Sequence, residues 1–401
     1  MFDDMNVLFV CGIYSESQVD FFLKYSKRGF QFADQTFQGA CISGLKKSGL
    51  KFRVLSKPFL STFPFGFKRP FVKSDDLIYQ GEKVGRSLGF LNMMFVGGKV
   101  DYKSEISSWV ESSDDNKVAL IYSLTPGMVR IGKWIKEMYP EIHVCFIIPD
   151  LPIFTNANKI YQLLGLKKRD VNFVMSVVTM FDSYVVLTES IAEALHVNRK
   201  PHIVIEGIFN PGKEIVVPKN EKKVFLYTGG LALEYGVGDL VLAFANMKEE
   251  NIELWLCGNG NAEEMIKKYS AKDPRIKFFG KVEHDKVLEM QHEASFLVNP
   301  RHSTEDFIKY SFPSKTMEYM ASGTPVIMCR LGCLPEEYKK HLLFFEDESI
   351  EGFSSTMSSV LTMDPIALNE LSNGAKYFIL KNKTPDEQIG KVIRFLQNIT
   401  K

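Results

Sequence analysis

Residues 298–327 read VNPRHSTEDFIKYSFPSKTMEYMASGTPVI. The apolar run SFLVNP (295–300) that enters this block predicts a strand stopped by Pro300. After a polar loop, Pro313 stands where a first helical residue tolerates proline. A helix then runs to about Ala321 and stops at Gly323, and TPVIMC (324–329) predicts the next strand. Strand, loop, helix, strand is the unit of a parallel α/β sheet.

The same alternation extends in both directions. Upstream lie VFLYTG (224–229), ELWLCG (253–258) and IKFFG (276–280), each ending in glycine. Residues 207–222, GIFNPGKEIVVPKNEK, hold two Gly, two Pro and two Asn and read as a linker. Before the linker come strands at 7–11, 51–56 (KFRVLS), 117–123, 142–148, 183–188 and 202–207, with helices expected at 34–47, 128–138 and 160–181. Parallel strands covered on both faces explain the continuous apolar runs. From Thr384 to Ile399 the chain opens with capping chemistry and continues amphipathically, as a terminal helix. The expected organisation is an amino-terminal α/β domain (1–206), a linker (207–222), a second α/β domain (223–383) and a terminal helix (384–401) able to cross back to the first domain. Ligands of such sheets sit beyond the carboxyl ends of the strands.

Composition narrows the function. A chain of 401 residues, 45% hydrophobic and 24% charged, suits two globular domains and excludes disorder. Net charge is +1, so no global field recruits nucleic acid. The halves differ: residues 1–200 carry 25 basic against 20 acidic side chains, and 201–401 carry 24 against 28. The six cysteines form no CxxC, which argues against a zinc ribbon or thioredoxin motif and for buried, reduced thiols. The seven histidines form no HExxH or HxH, and no DxD occurs, so no metal site is expected. There is no GxSxG and no GxxxxGKS, against a hydrolase elbow or a P-loop. The first ten residues, MFDDMNVLFV, do not read as a signal peptide, and no run of about 18 apolar residues predicts a membrane span.

Within the 298–327 block, the helix N-terminus directs free N–H groups and a positive dipole end at the expected cleft, a ready anion site. Ser314 and Lys315 lie in its first turn, where a cation opposes the dipole. That placement suits a bound anion. Glu318, three residues on, offers the competing reading of a surface ion pair with Lys315.

The block SFPSKTMEYMASGTPVI resembles the nucleotide-sugar signature of retaining glycosyltransferases of the GT-B fold, family-4 (group 1) type. It is similar to bacterial enzymes that build capsular and exopolysaccharides. The resemblance covers the carboxyl-terminal half in outline. The amino-terminal half shares only the order of strands and helices. It implies an α/β fold of two Rossmann-like domains facing an interdomain cleft. It also implies transfer of a hexose from a nucleotide diphosphate sugar, a UDP-sugar or another, to a lipid-linked oligosaccharide, with no other cofactor.

By position, Glu318 matches the second glutamate of the family's E-x7-E motif, which holds the ribose hydroxyls; a carboxylate can accept both. The first glutamate falls on Tyr310, which the resemblance places toward the donor sugar. The loop after 225–229 often carries an Arg and a Lys that clamp pyrophosphate, but here Gly230 and Tyr235 occupy those places. Arg301 and Lys315 are the expected substitutes, because a departing diphosphate needs cationic stabilisation. Gly229-Gly230 otherwise reads as a tight turn. Val282, in Gly280-Lys281-Val282, sits where relatives hold the base through backbone groups.

In the first domain, Gly12 ends a strand, either for close approach of donor phosphates or as a turn glycine. Asp150, after another strand, reads as a substrate contact, near where relatives often have a histidine, or as a solvated loop acid. KPFLSTFPFGFKRPFVK (57–73) interleaves five Phe with four basic residues. Phe65, Phe67, Lys68 and Arg69 read as an anionic-membrane or acceptor contact, or else as a loop with core phenylalanines.

The resulting expectation is a cytoplasmic glycosyltransferase, peripheral on the inner face of the cell membrane, possessing no metal and binding no nucleic acid. Its partners would be the donor, a lipid-linked acceptor, anionic lipid and other proteins of a polysaccharide pathway. The alternative is a non-catalytic glycosyltransferase-like scaffold or chaperone subunit of an active partner. A sugar-nucleotide epimerase and a two-carboxylate glycoside hydrolase are more distant readings.

Overall fold

The computed structural model describes residues 5–27, 32–93, 100–112, 116–154, 159–213, 215–304 and 307–400. Residues 1–4 of the amino-terminal reading and Glu305-Asp306 of the 298–327 block lie outside the described residues. The chain divides into two compact units, Met1–Asn210 with Pro385–Lys401, and Pro211–Thr384. Both have an α/β fold built on parallel sheets.

The first unit holds an eight-stranded sheet. Its spatial order is His202–Val204, Ser183–Val186, His143–Ile148, Asn116–Tyr122, Met5–Cys11, Lys51–Ser56, Glu82–Ser87 and Asp75–Tyr79. All neighbours are parallel except the last pair. All seven residues of Met5–Cys11 are buried, as a central strand covered on both faces requires. Chain order reverses between this strand and Asn116–Tyr122, so their carboxyl ends open a switch-point crevice.

The terminal helix, Pro385–Ile399, packs in this unit against helix Phe32–Ser48. Ile389, Val392, Ile393 and Leu396 join the core of the central strands. Gly44 permits the helix contact, since a Cβ there would lie 2.6 Å from both Ile389 and the Pro385 carbonyl. Buried Gln388 donates from Nε2 to the Gly207 carbonyl at 2.8 Å, fixing the helix start against the chain leaving the sheet.

Two expectations are corrected here. The helix expected over 160–181 is broken into Lys159–Leu163, Leu166–Val177 and a 3-10 turn at Val178–Met180. The break is at Gly165, whose φ of 67° a regular helix cannot include. Phe67, expected at a membrane surface, is 1% exposed. It belongs with Phe22, Val72 and Phe90 to a small separate core. A phenylalanine that fills a core cannot also enter a bilayer. Phe65 and Phe71 are 44% and 54% exposed, and Lys68 and Arg69 are exposed.

The second unit holds a six-stranded parallel sheet. Its order is Ile276–Gly280, Ile252–Asn259, Lys223–Gly230, Phe296–Asn299, Val326–Met328 and Leu343–Phe344. Counted within the unit this is 3-2-1-4-5-6, the doubly wound dinucleotide-binding order. Its switch point lies between the first strand, Lys223–Gly230, and the fourth, Phe296–Asn299. Among the described residues, no helix is long and apolar enough to cross a membrane.

Candidate functional site

The switch point of the second unit holds a cavity of 170 Å³. Its walls come from both loops that the topology puts there, Tyr227, Gly230 and Tyr235 on one side and Asn299 and Arg301 on the other. The floor is the start of helix Ser314–Ser322, with Ser314, Lys315 and Tyr319. No carboxylate lines it.

Each wall is held by identifiable bonds. Tyr319 is fully buried, and its hydroxyl accepts from the Thr228 N–H at 2.8 Å. The same hydroxyl donates to the Thr228 carbonyl at 3.2 Å. This ties the helix to the end of the first strand. The Tyr227 hydroxyl donates to the Gly230 carbonyl at 2.8 Å and fixes the glycine turn. Burial raises the Tyr227 phenol above its ordinary range, with Tyr235 adding to the shift and Arg301 opposing it. Gly229 has φ 145°, and a Cβ on it would lie 2.6 Å from Lys315 Cε. The backbone conformation is what requires glycine here, and the lysine end laid across it fills the space a Cβ would take.

Arg301 stands over the rings of Tyr235 and Phe307, 5.1 and 4.6 Å from the centroids. The next residue anchors the loop: His302 contacts Asp239 at 2.7 Å and Glu348 at 3.3 Å, and the Ser303 N–H donates to Glu348 at 2.9 Å. The Tyr235 of the missing clamp thus has a defined place, as a surface on which the guanidinium lies.

Lys315 is half-buried, and burial lowers its ammonium below the ordinary lysine range, with Glu318 opposing the shift. Pro313, which caps its helix, supplies no side-chain hydrogen bond to the free N–H groups. The competing reading, a surface ion pair of Lys315 with Glu318, is not what these described residues form. Glu318 Oε1 instead accepts from Gln291 Nε2 at 2.5 Å.

The structure brings together Gly229, Gly230, Arg301, Ser314 and Lys315. Glu318 lies one helical turn beyond Lys315, against helix His284–Glu293. Tyr310, on the 3-10 turn Ile308–Tyr310, and Val282, half-buried between strand and helix, are not among the residues lining the cavity. Tyr227, Asn299 and Gln291 carry no linear signal; they read as ordinary strand and helix residues until the sheet order places them.

Gly12 and Asp150 lie in the first unit. The space over Gly12 is filled by Phe59, whose ring would be 2.4 Å from a Cβ, and the Gly12 N–H donates to Gln38 Oε1 at 2.6 Å. This packing accounts for the glycine without a phosphate. Beside it, the buried Tyr122 hydroxyl donates to Asp34 Oδ1 at 3.0 Å. Asp150 is more than a third exposed, yet the surrounding protein and the charge of Asp34 push its carboxyl up to about 6. Burial also raises Asp34. Asp34 escaped the sequence reading because it lies in a helix first turn, where acids are common. Among the described residues, no group of three or more His, Cys, Asp or Glu could hold a metal ion.

Residues 222–363 match the family model described as glycosyl transferases group 1. The phosphatidylinositol N-acetylglucosaminyltransferase gpi3 subunit of Schizosaccharomyces pombe is 25% identical over 232 residues. That alignment takes in 55% of this chain and 48% of the relative, so the chain spans about half the length of that protein. Sucrose-phosphate synthase from Thermosynechococcus elongatus shares the fold, with TM-score 0.61 and 14% identity over 98% of this chain and 99% of that one. The lipopolysaccharide outer core galactosyltransferase WaaB does so too, with TM-score 0.60 and 13% identity over 98% and 99%. The α/β architecture is that of the GT-B glycosyltransferases.

Proposed function

We propose that this chain transfers a hexose from a nucleotide diphosphate sugar to a hydroxyl of a lipid-linked saccharide, with retention at the anomeric carbon and without a metal. The observation that carries this reading is the acid-free cavity at the second unit's switch point. There Arg301, Lys315 and an uncapped helix N-terminus converge. Two cations and the free N–H groups of a helix start suit a diphosphate better than any neutral ligand.

The acceptor hydroxyl attacks the anomeric carbon on the face that the diphosphate leaves, and the leaving phosphate takes its proton. Charge grows on the diphosphate as the glycosidic bond breaks, so Lys315 and Arg301 act where transition-state charge develops. Arg301 is already oriented by Tyr235 and Phe307, which lowers the reorganisation cost. Glu318 takes the ribose hydroxyls, Tyr310 the donor sugar and the backbone near Val282 the base. Asp150 meets the acceptor.

The setting proposed is bacterial surface polysaccharide synthesis on the inner face of the cell membrane. Two features of the first unit support contact with anionic lipid. Leu23, Phe65 and Phe71 are 53%, 44% and 54% exposed. Lys24, Lys27, Lys68, Arg69 and Lys73 are exposed beside them. The Lys68 N–H donates to the Tyr25 carbonyl at 2.8 Å and the Lys27 N–H to the Gly66 carbonyl at 2.9 Å. These bonds join helix Val19–Tyr25 and the 63–73 segment into one surface.

A second reading is favoured by Gly230, Tyr235 and Tyr310 standing where charged groups are expected: a non-catalytic subunit of an active partner. Calorimetric titration with UDP, GDP and dTDP, on the chain and on Glu318→Ala, separates the two. Binding of one nucleotide, weakened in the variant, together with slow hydrolysis of its sugar donor supports the transferase. Absence of binding by all three refutes the donor site.

A further inference from the structure

We infer that Gln291 is a positioning residue for Glu318 and sets the selection for an intact ribose at the donor site. The inference rests on the reading of Glu318 as the ribose-binding carboxylate. Gln291 projects from helix His284–Glu293 and is 0% exposed. Its Nε2 donates to Glu318 Oε1 at 2.5 Å. Its Oε1 is buried and, among the described residues, accepts no hydrogen bond. Rotating the amide by half a turn would set Oε1 against a carboxylate oxygen, so the amine must face Glu318 and the orphaned oxygen follows from that.

A buried acceptor left unmade destabilises a fold, and an apolar residue of the same shape would avoid it. Glutamine at this position is therefore a structural liability, and what it gains is a hydrogen bond to a half-buried carboxylate. Such a bond to an ionised group is among the stronger ones.

The backbone of Gln291 is itself fixed. Its carbonyl accepts from Thr324 Oγ1 at 2.8 Å. That hydroxyl in turn accepts from Lys219 Nζ at 2.8 Å, and the same ammonium donates to the Ala294 carbonyl at 2.7 Å. The amide thus sits on a braced helix end and presses on one oxygen of Glu318. With Oε1 held, Oε2 and the remaining lone pairs keep one orientation toward a vicinal diol.

The test compares UDP and GDP with their 2′,3′-dideoxy forms on the wild type, Gln291→Met, Gln291→Glu and Glu318→Ala. The readouts are calorimetric affinity and thermal unfolding. In Gln291→Met the affinity for the intact ribonucleotide falls about 5- to 10-fold, the dideoxy form binds as before, and unfolding temperature holds or rises. Gln291→Glu opposes a second carboxylate to the first and loses the same discrimination.

If Glu318→Ala abolishes the ribose preference while Gln291→Met retains it, the inference fails and the ribose reading stands. If Glu318→Ala leaves the preference unchanged, or neither ribonucleotide binds the wild type, the ribose reading fails and the inference with it. A drop in Gln291→Met affinity that is equal for ribo and dideoxy nucleotides marks a merely structural role and overturns the proposal.

Discussion

Replacing Lys315 with methionine should stabilise the protein and weaken its hold on a nucleotide diphosphate. Among the described residues, Lys315 makes no hydrogen bond or close ion pair, and burial already depresses its ammonium. Methionine fills similar volume without a charge to desolvate. Exchange of a poorly solvated ion for an apolar side chain is commonly neutral or stabilising, here by about 1 kcal/mol. For a unit of this size that raises the unfolding temperature by about 2–4 °C.

The gain depends on pH in a fixed direction. A depressed lysine binds its proton more weakly folded than unfolded, so wild-type stability climbs as pH rises through the folded value toward the unfolded one. The advantage of the variant therefore shrinks as pH rises toward the ordinary lysine range.

Binding moves the other way. A hydrogen bond from an ammonium to phosphate contributes about 1.5–3 kcal/mol, or roughly a 10- to 150-fold weaker Kd on its loss. The assay is calorimetry with UDP, GDP and dTDP, with inorganic pyrophosphate as competitor and the bare nucleosides as controls. The diphosphates should lose affinity in the variant and the nucleosides should not. A variant that melts several degrees lower, or that binds the diphosphates within twofold of wild type, would refute the assignment of Lys315 as a cation held ready for phosphate.

Tyr319→Phe removes the acceptor of the buried Thr228 N–H; the expected loss is about 1–3 kcal/mol in urea unfolding, and an unchanged midpoint would mean the helix is not tied there. Asp34→Asn should lower Asp150 from about 6 toward the ordinary carboxylate range, read by carboxyl carbon NMR, since the charge of Asp34 is one cause of the shift. In the wild type, ionising Asp150 costs folded stability as pH rises from about 4 to 6, so Asp150→Asn should flatten that part of the profile. Phe71→Ser should leave unfolding unchanged and weaken binding to anionic vesicles, while Phe67→Ala should destabilise by about 3–5 kcal/mol because it empties a core. Equal vesicle binding by wild type and Phe71→Ser counts against the lipid surface.

The alternation of apolar runs with helical segments was legible because a parallel sheet buries both faces of its strands and so leaves an unbroken apolar signature, as in Val7–Cys11 and Val224–Thr228. A helix beginning beside Pro313, Gly323 at its end and Lys315 in its first turn were equally local, since capping and dipole preferences act within one turn; Pro313 itself proves to be the cap and not the first helical residue. The 160–181 segment misled because its apolar spacing continues through Gly165, and only the backbone angle there reveals the break.

By itself, the sequence determined most of the parallel strands and the helix at 314–322 with the glycine that stops it, while the edge strands Asp75–Tyr79 and Glu82–Ser87 and the break at Gly165 went unread. The elements it determined follow from side-chain size, backbone freedom and periodicity along a few residues. Tertiary structure alone decided which loops meet. The 3-2-1-4-5-6 strand order puts Tyr227 and Gly230 beside Asn299 and Arg301, some 70 positions later in the chain. It also set Gln291 against Glu318, buried Phe67 while leaving Phe71 exposed, and brought Asp34 within electrostatic reach of Asp150. Burial, charge coupling and hydrogen-bond partners are properties of neighbours in space, and no spacing along the chain encodes them.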